Sequence, residues 1–466
     1  MTFTITIDTT QQDPLFLQIA TRVRTAIAAG HLLPGARLPS SRALAAKLAI
    51  ARGTVDAAYA LLAGEGAIET HRSAGTVVAG KVGPRVDLPE QAPLLFPAVP
   101  NAVGPGPRPF QIGLPALDAF PRKLWSNLTV RAARSIQADA LADADPGGLL
   151  DLRQSVAAYL GVARGISCTA EQVLITCGYQ GALALVRNVL VRANEPVWME
   201  DPGYHLTRMA LENAGARVVP IRVDADGLRV AAGNNAAPKA RLVVVTPTHQ
   251  YPLGVALSLP RRLQLLAWAA EAGSWILEDD YDSEFRYVGR PLPSLKSLDR
   301  GQRVLYAGSF SKVLFPALRL GYLVVPPELE SAFQRAAKLL TNGLPVLEQT
   351  VVAAFMRSGH FPRHVKRMRT LYAERRRALA AALHARFGER ATVDMAPGGM
   401  HLIVRFAQAE DDTALAKRAV RSGLAPTALS SLAIAHDCGQ GLLLSFTNVA
   451  PADADALVAR LAAAIG

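Results

Sequence analysis

The chain has 466 residues, enough at roughly 150 residues per domain for two to four domains with cores of their own. Half of the residues are hydrophobic and 19% are charged, which excludes a largely disordered chain and a small stapled scaffold. Fifty Lys and Arg against 38 Asp and Glu leave a formal charge of +12, a balance that suits an anionic partner such as nucleic acid. Cys168, Cys177 and Cys438 are too few and too scattered for a disulfide framework or a zinc site. The opening MTFTITIDTTQQDP lacks the basic start and apolar run of a signal peptide, and no run of about 18 apolar residues occurs. The expectation is a soluble, cytoplasmic protein.

In chain order, residues 15–29 place Leu15, Ile19, Val23 and Ile27 four apart, which predicts an amphipathic helix stopped by Gly30. Ser40 is the expected N-cap of a second helix through Leu44 and Leu48, and ARGTVDAAYALLAGEG predicts a third through Val55, Tyr59 and Leu62. Two short helices joined by a tight turn make a helix-turn-helix pattern, and AIETHRSAGTVVA reads as two short strands around a turn, the shape of a wing. Residues 14–80 hold seven bases against three acids, and basic residues open both helices. That pattern serves a DNA-docking module, with Arg52 at a helix start reaching guanine in the major groove. It serves equally a dimerisation module with a solvated basic face.

Eight of the thirty residues from 81 to 110 are proline, so this stretch reads as an extended connector between a small module, 1–80, and a large one, 111–466. In the large module short apolar runs alternate with amphipathic helical stretches: VLIT (173–176), PVWME (196–200), RLVVVTP (241–247), SWILEDD (274–280) and RVLYAGS (303–309). Continuous apolar strands separated by helices predict a mainly parallel sheet covered on both faces, an α/β fold.

The chemistry of the large module converges on GSFSKVLFPALRLGY, residues 308–322. A lysine among small hydroxyl residues at a strand end, with an arginine seven positions on, suits an imine-bound phosphorylated aldehyde. Lys312 is the candidate for the Schiff base, Ser309 and Ser311 for hydrogen bonds to phosphate, and Arg319 for a charge-assisted contact. Asp279 ends a hydrophobic strand where it would keep a pyridine nitrogen protonated, and Tyr281 is placed to bond the ring hydroxyl. The glycine turn of ITCGYQGAL presents backbone N–H groups near Gly178, Tyr179 and Gln180 to phosphate. Tyr204 in MEDPGYH is a candidate to stack on the ring, and His249 and Gln250 in TPTHQYPLG are candidate polar contacts to it. Singly, the glycine turn, the strand-end acids and the lone tyrosine are more often connections, helix caps or core packing, and a lysine in a Ser-rich loop is often just solvated.

Two resemblances follow from these motifs. Residues 14–79 resemble the winged-helix DNA-binding domain of the GntR regulators, through P-G-x-x-L-P-S-S-R-x-L-A, R-x-T-V and L-x-x-E-G at the right spacing. The resemblance implies that Arg37, Ser41, Arg42, Arg52 and Thr54 face double-stranded DNA, with Arg72 and Gly75 in the wing. Where relatives begin the recognition helix with Ser-Arg-x-Thr, this chain has Ala51-Arg52-Gly53-Thr54, which puts sequence preference rather than fold in question. From about Phe110 to the C-terminus, ITxG, EDPGY, THQYPxG, EDDY and SFSKxxxPxLRxG in that order resemble the fold-type I aminotransferases, which implies pyridoxal 5′-phosphate on a seven-stranded-type sheet with a small C-terminal α+β part. The combination resembles the MocR subfamily of GntR regulators (GabR- and PdxR-like). That resemblance implies a head-to-tail homodimer in which the aminotransferase-like domain senses vitamin B6, an amine or an amino acid.

One departure bears on activity. Enzymatic aminotransferases hold the substrate α-carboxylate with an arginine in a late R-L-x-F segment, and GLLLSFTN here puts Leu443 at that place, with Arg405 and Arg363 as possible substitutes in space. The reading is a sensor rather than a working transaminase. The alternative is an active aminotransferase with an appended DNA-binding module.

Overall fold

A computed structural model describes residues 5–8, 13–71, 75–80, 106–138, 142–289, 292–407 and 411–466. The expected wing residue Arg72 and most of the connector, 81–105, lie outside the described residues. The chain divides into two compact units, Met1–Pro97 and Ala98–Gly466.

The small unit holds α1 (Leu15–Ala28), α2 (Ser41–Leu48), α3 (Arg52–Gly64), β1 (Ile68–His71) and β2 (Gly75–Val78). Ile19 and Val23 of α1 bury completely against Val55, Ala58 and Leu62 of α3, as their helical spacing requires. Ser40 caps α2 by accepting a hydrogen bond from the Ala43 N–H, 3.2 Å away. Tyr59 donates its hydroxyl to Pro39 O at 2.8 Å, which ties α3 to the start of α2 and fixes the helix-turn-helix angle. β1 and β2 pair antiparallel from Ile68 with Val78 to His71 with Gly75, and residues 35–38 add a third edge through Leu38 N to Thr76 O and Val78 N to Ala36 O.

The large unit contains α4 (Arg122–Arg134), α5 (Leu150–Arg164), β3 (Val173–Thr176), α6 (Gly178–Leu190), β4 (Pro196–Asp201), α7 (His205–Asn213), β5 (Arg217–Asp224), β6 (Gly227–Leu228), α8 (Val230–Ala236), β7 (Leu242–Val245), α9 (Leu259–Ala272), β8 (Trp275–Asp280), α10 (Leu295–Leu298), β9 (Val304–Ser309) and β10 (Gly321–Val324). Its sheet runs β3-β10-β9-β8-β7-β4-β5-β6. β10 is antiparallel to both neighbours, and β6 is a two-residue return of the β5 hairpin, the eighth strand beyond the expected seven. The rest run parallel, so the C-terminal ends of β3, β4, β7, β8 and β9 share one edge. Alternate residues serve opposite faces: Leu242 and Val244 pack with Leu183 and Val186 of α6, whereas Val243 and Val245 pack with Leu265 and Trp268 of α9. Burial on both faces is why these strands read as unbroken apolar runs.

After α11 (Glu330–Leu340), α12 (Val346–Arg357) and the long α13 (His360–Phe387) comes the C-terminal part: β11 (Ala391–Asp394), β12 (His401–Phe406), α14 (Asp412–Arg421), β13 (Thr427–Ala428), β14 (Leu442–Ser445) and α15 (Ala454–Ile465). Its antiparallel sheet runs β11-β12-β14-β13. Asp201, fully buried at the end of β4, accepts the backbone N–H groups of Ile434, Ala435 and His436 at 2.7 to 2.8 Å and so fastens this part to the main sheet. No described helix is long and apolar enough to cross a membrane.

Candidate functional site

In open α/β sheets ligands bind at the carboxyl ends of the strands, because the helix N-termini and crossover loops converge there. Lys312 follows the end of β9. Its Nζ donates to Gly113 O at 3.1 Å, and Gly113 has φ +77 with a Cβ position only 2.3 Å from that nitrogen. Any larger residue at 113 would therefore push the lysine amine aside. Burial lowers the Lys312 pKa, opposed by the charges of Asp279 and Asp282, which favours the neutral nucleophilic amine.

Asp279, the penultimate residue of β8, is 9% exposed and its carboxylate has no hydrogen-bond partner among the described residues. Burial, reinforced by the Asp280 charge, pushes its carboxyl well above the usual range, against the opposing pull of Lys312. Its neighbour Asp280 is compensated differently: it pairs with the buried Arg164 at 2.6 Å and accepts the Tyr306 hydroxyl. Arg164 also donates to Thr248 Oγ1 at 3.1 Å, locking the loop that follows β7 against β8.

On that loop His249 Nδ1 lies 2.9 Å from Tyr281 Oη and 3.1 Å from Asp282 Oδ2, so the imidazole orients the tyrosine. Aromatic contacts then join the motifs into one arc: Tyr281 to Tyr251 at 6.1 Å, Tyr251 to Tyr204 at 5.8 Å and Tyr204 to Tyr179 at 6.3 Å. Tyr179 Oη is held by Thr207 Oγ1 at 2.9 Å. Gly178 opens α6 at φ +66 with nothing near its Cβ position, and Gln180 Nε2 is buried without a partner. Gly321 of β10 pairs with both Thr176 and Ser309, which places the α6 start beside the β9 end. Ser309 Oγ accepts Ser311 N at 3.2 Å, and the exposed Arg319 has left-handed backbone, φ 51, and no ion pair among the described residues.

Gln250 departs from the expected ring contact. It is 1% exposed, and its amide donates to Pro202 O at 2.9 Å and Tyr251 O at 2.7 Å while accepting Leu253 N, so it braces the turn. Sequence reasoning missed Gly113, Tyr251 and Asp282. The adjacency of Tyr251 to a proline inside THQYPLG was the available signal for one of them. Leu443 is fully buried in an apolar cluster with Ile403, Leu429 and Leu432, against which Ile112, Tyr251 and Leu253 pack. Neither proposed substitute arginine is free: Arg405 binds Asp394 at 2.8 Å and the Cys438 and Gln440 carbonyls, and Arg363 reaches Ser358 O from the surface of α13.

In the small unit Arg37, Arg42 and Arg52 are exposed, Ser41 and Thr54 are half-buried, and Gly75 begins β2 at φ +77. Ser41 and Arg52 are the first residues of α2 and α3. Ala51 leaves the α3 N-terminus without a side-chain cap.

The family model for aminotransferase class I and II matches residues 129–461, and that for bacterial regulatory proteins of the gntR family matches 15–78. The probable rhizopine catabolism regulatory protein MocR of Rhizobium meliloti is 35% identical over 94% of this chain and 91% of its own length. The chain belongs to the MocR subfamily of GntR-family transcriptional regulators. Another such regulator, the pyridoxine biosynthesis transcriptional regulator PdxR of Corynebacterium glutamicum, is 31% identical over 92% of this chain and 91% of its own. Among solved structures, LysN, the α-aminoadipate aminotransferase of Thermus thermophilus bound to N-(5′-phosphopyridoxyl)-L-leucine, has 29% identity and a TM-score of 0.69, covering 76% of this chain and 91% of its own. The large unit of this MocR-type regulator is thus a pyridoxal 5′-phosphate-dependent aminotransferase fold. Its residues fit that cofactor: a buried amine, a buried carboxylate with no donor of its own, and open space over the N-terminus of α6.

Proposed function

We propose that this cytoplasmic regulator binds operator DNA as a head-to-tail homodimer and uses its large unit as a sensor of vitamin B6 or an amine, with little or no transaminase turnover. Lys312 holds the cofactor aldehyde, Asp279 the ring nitrogen and Tyr281 the ring hydroxyl, while Arg319, Ser309, Ser311 and the α6 N-terminus around Gly178, Tyr179 and Gln180 take the phosphate. When bound, the cofactor supplies an electrophilic carbon that amines recognise covalently. Tyr204 and Tyr251 wall the space beside it, and His249 keeps Tyr281 oriented. Arg37, Ser41, Arg42, Arg52 and Thr54 contact the duplex, with Arg52 at the groove floor.

The observation that carries the sensor reading is Leu443, buried among apolar side chains beside Tyr251, where a carboxylate-binding arginine would be needed. Leucine offers no two-point contact to a carboxylate. The test combines three measurements on the purified chain: visible absorbance with pyridoxal 5′-phosphate for wild type and Lys312→Ala, gel shifts on its own upstream DNA with and without a panel of amines and amino acids, and amino-acid/keto-acid turnover. Ligand-dependent shifts with negligible turnover support the sensor. Steady turnover abolished by Lys312→Ala, with shifts indifferent to ligand, establishes the alternative, an active aminotransferase; the intact Lys312, Asp279 and Tyr281 are what favour it.

A further inference from the structure

The excess charge of the chain is concentrated. Of the formal +12, residues 14–80 carry +4, and α13 alone, with eight bases and the single acid Glu374, carries +7. Three of those bases have structural partners. Arg375 pairs with Asp118 and donates to Thr447 O, Arg376 donates to Ala396 O and lies over the Tyr287 ring, and Arg369 donates to Glu284 O at 2.9 Å.

Arg363, Lys366, Arg367 and Arg377 are less committed: Arg363 and Arg377 donate only to nearby backbone carbonyls, Ser358 O and Ala373 O, each at 3.3 Å. All four are exposed, and none has an ion pair among the described residues. Lys366, Arg367 and Arg377 follow Arg363 by three, four and fourteen residues, which puts the four on one helical face, and the first three bases line a groove of about 750 Å³ together with Asp118, Thr370 and Glu374. From Arg363 to Arg377 the row is about 21 Å long at 1.5 Å per residue. Like charges at this spacing destabilise a helix, and soluble surfaces ordinarily intersperse both signs. Four exposed cations around the single α13 acid Glu374 leave this face with a net positive charge that a polyanion would neutralise.

We propose that this face of α13 is a second DNA-contacting surface, which grips duplex phosphates independently of the winged helix. The proposal rests on the DNA-binding reading only in its choice of polyanion. A duplex carries one negative charge per about 1.7 Å of axis, so a straight row of this length faces a regular series of phosphates over about six base pairs. An acidic protein segment is the competing occupant, and the test separates the two.

The affinity of the full chain for a duplex of arbitrary sequence, about 40 base pairs long, is measured by fluorescence anisotropy across a KCl series. The combined Arg363→Gln, Lys366→Gln, Arg367→Gln variant is expected to lower the magnitude of the slope of log K against log salt by about 2 to 3, near 0.9 per lost contact. The charge-conserving Arg363→Lys, Arg367→Lys variant keeps the wild-type slope, which separates charge from folding. A wild-type slope and affinity in the triple glutamine variant overturns the proposal. So does polyglutamate that binds the wild type as tightly as the duplex and loses affinity in the triple variant. Arg52→Ala read in parallel tests the winged helix by itself: the failure of one surface leaves the other measurable.

Discussion

Gly113→Ala separates the position of the lysine amine from the stability of the fold. The added methyl would lie 2.3 Å from Lys312 Nζ, against about 3.4 Å for ordinary contact, so the amine must retreat by about 1 Å and loses its bond to Gly113 O. Because the clashing atom is the far end of a flexible side chain, the global cost is mainly the left-handed backbone at φ +77, about 1 kcal/mol. In a unit of this size that lowers Tm by about 2 °C. The effect on chemistry is larger, since a misplacement of about 1 Å costs on the order of 100-fold in rate. The assay is the rate at which visible absorbance appears on mixing the apoprotein with pyridoxal 5′-phosphate. The matched control is Gly215→Ala, where φ is +78 but the nearest atom is at an ordinary 3.5 Å. Equal rates for wild type and Gly113→Ala, or an equal loss in Gly215→Ala, refute the assignment of Gly113 as the seat of the amine.

Three other outcomes follow from single contacts. Ala51→Ser supplies the cap that α3 lacks, at a backbone already extended (φ −64, ψ 138), and should stabilise the small unit by about 1 kcal/mol in urea unfolding. Asp201→Asn keeps one accepting oxygen but turns the other into an NH2 donor that opposes at least one of the three inward-pointing N–H groups, and should destabilise the large unit by about 3 kcal/mol, read by thermal unfolding, with the C-terminal part losing hydrogen-exchange protection first. Burial, with the His249 charge adding to it, lowers the His401 pKa to about 4. The unfolded chain therefore takes up this proton first, so stability present above about pH 6.5 is lost as pH falls towards 4, by about 3 kcal/mol. In His401→Gln, denaturant unfolding between pH 7 and 4 should lack that component; an unchanged profile refutes it.

What could be read from the sequence was what depends on near neighbours. The apolar runs of β3, β4, β7, β8 and β9 are unbroken because both faces of each are covered, and a run of that kind needs no partner to be recognised. Lys312, Asp279 and Tyr281 stand at strand ends, where a polar residue interrupting an apolar run is conspicuous. The antiparallel direction of β10 left no such trace, since GYLV is as apolar as the strands on either side of it and only the pairing of Gly321 with Thr176 and Ser309 decides it. Gly113 was illegible for the same reason: its requirement comes from a lysine 199 residues away. A polar loop residue such as Gln250 reads as available for a ligand, because its acceptors, Pro202 O and Tyr251 O, lie outside its own motif or depend on the turn.

In the proposed site, those long-range contacts would carry the effect of an occupant to the rest of the large unit. Asp201 fastens residues 434–436 to the end of β4, and Tyr204, three residues further on, stands in the aromatic arc. Tyr251, the next member of that arc, packs against the cluster that holds Leu443 of β14 and Ile403 of β12. A ligand pressed against Tyr204 and Tyr251 therefore touches side chains seated on both the main sheet and the C-terminal sheet. Its affinity depends on how those two sheets are set, and by linkage its binding biases that setting. Sensing then needs no catalytic turnover, only a ligand whose contacts differ between two settings of the C-terminal part. An arginine at 443 would instead place a cation in the apolar seam through which that coupling runs, at the cost of a buried, unpaired charge whenever no carboxylate is bound.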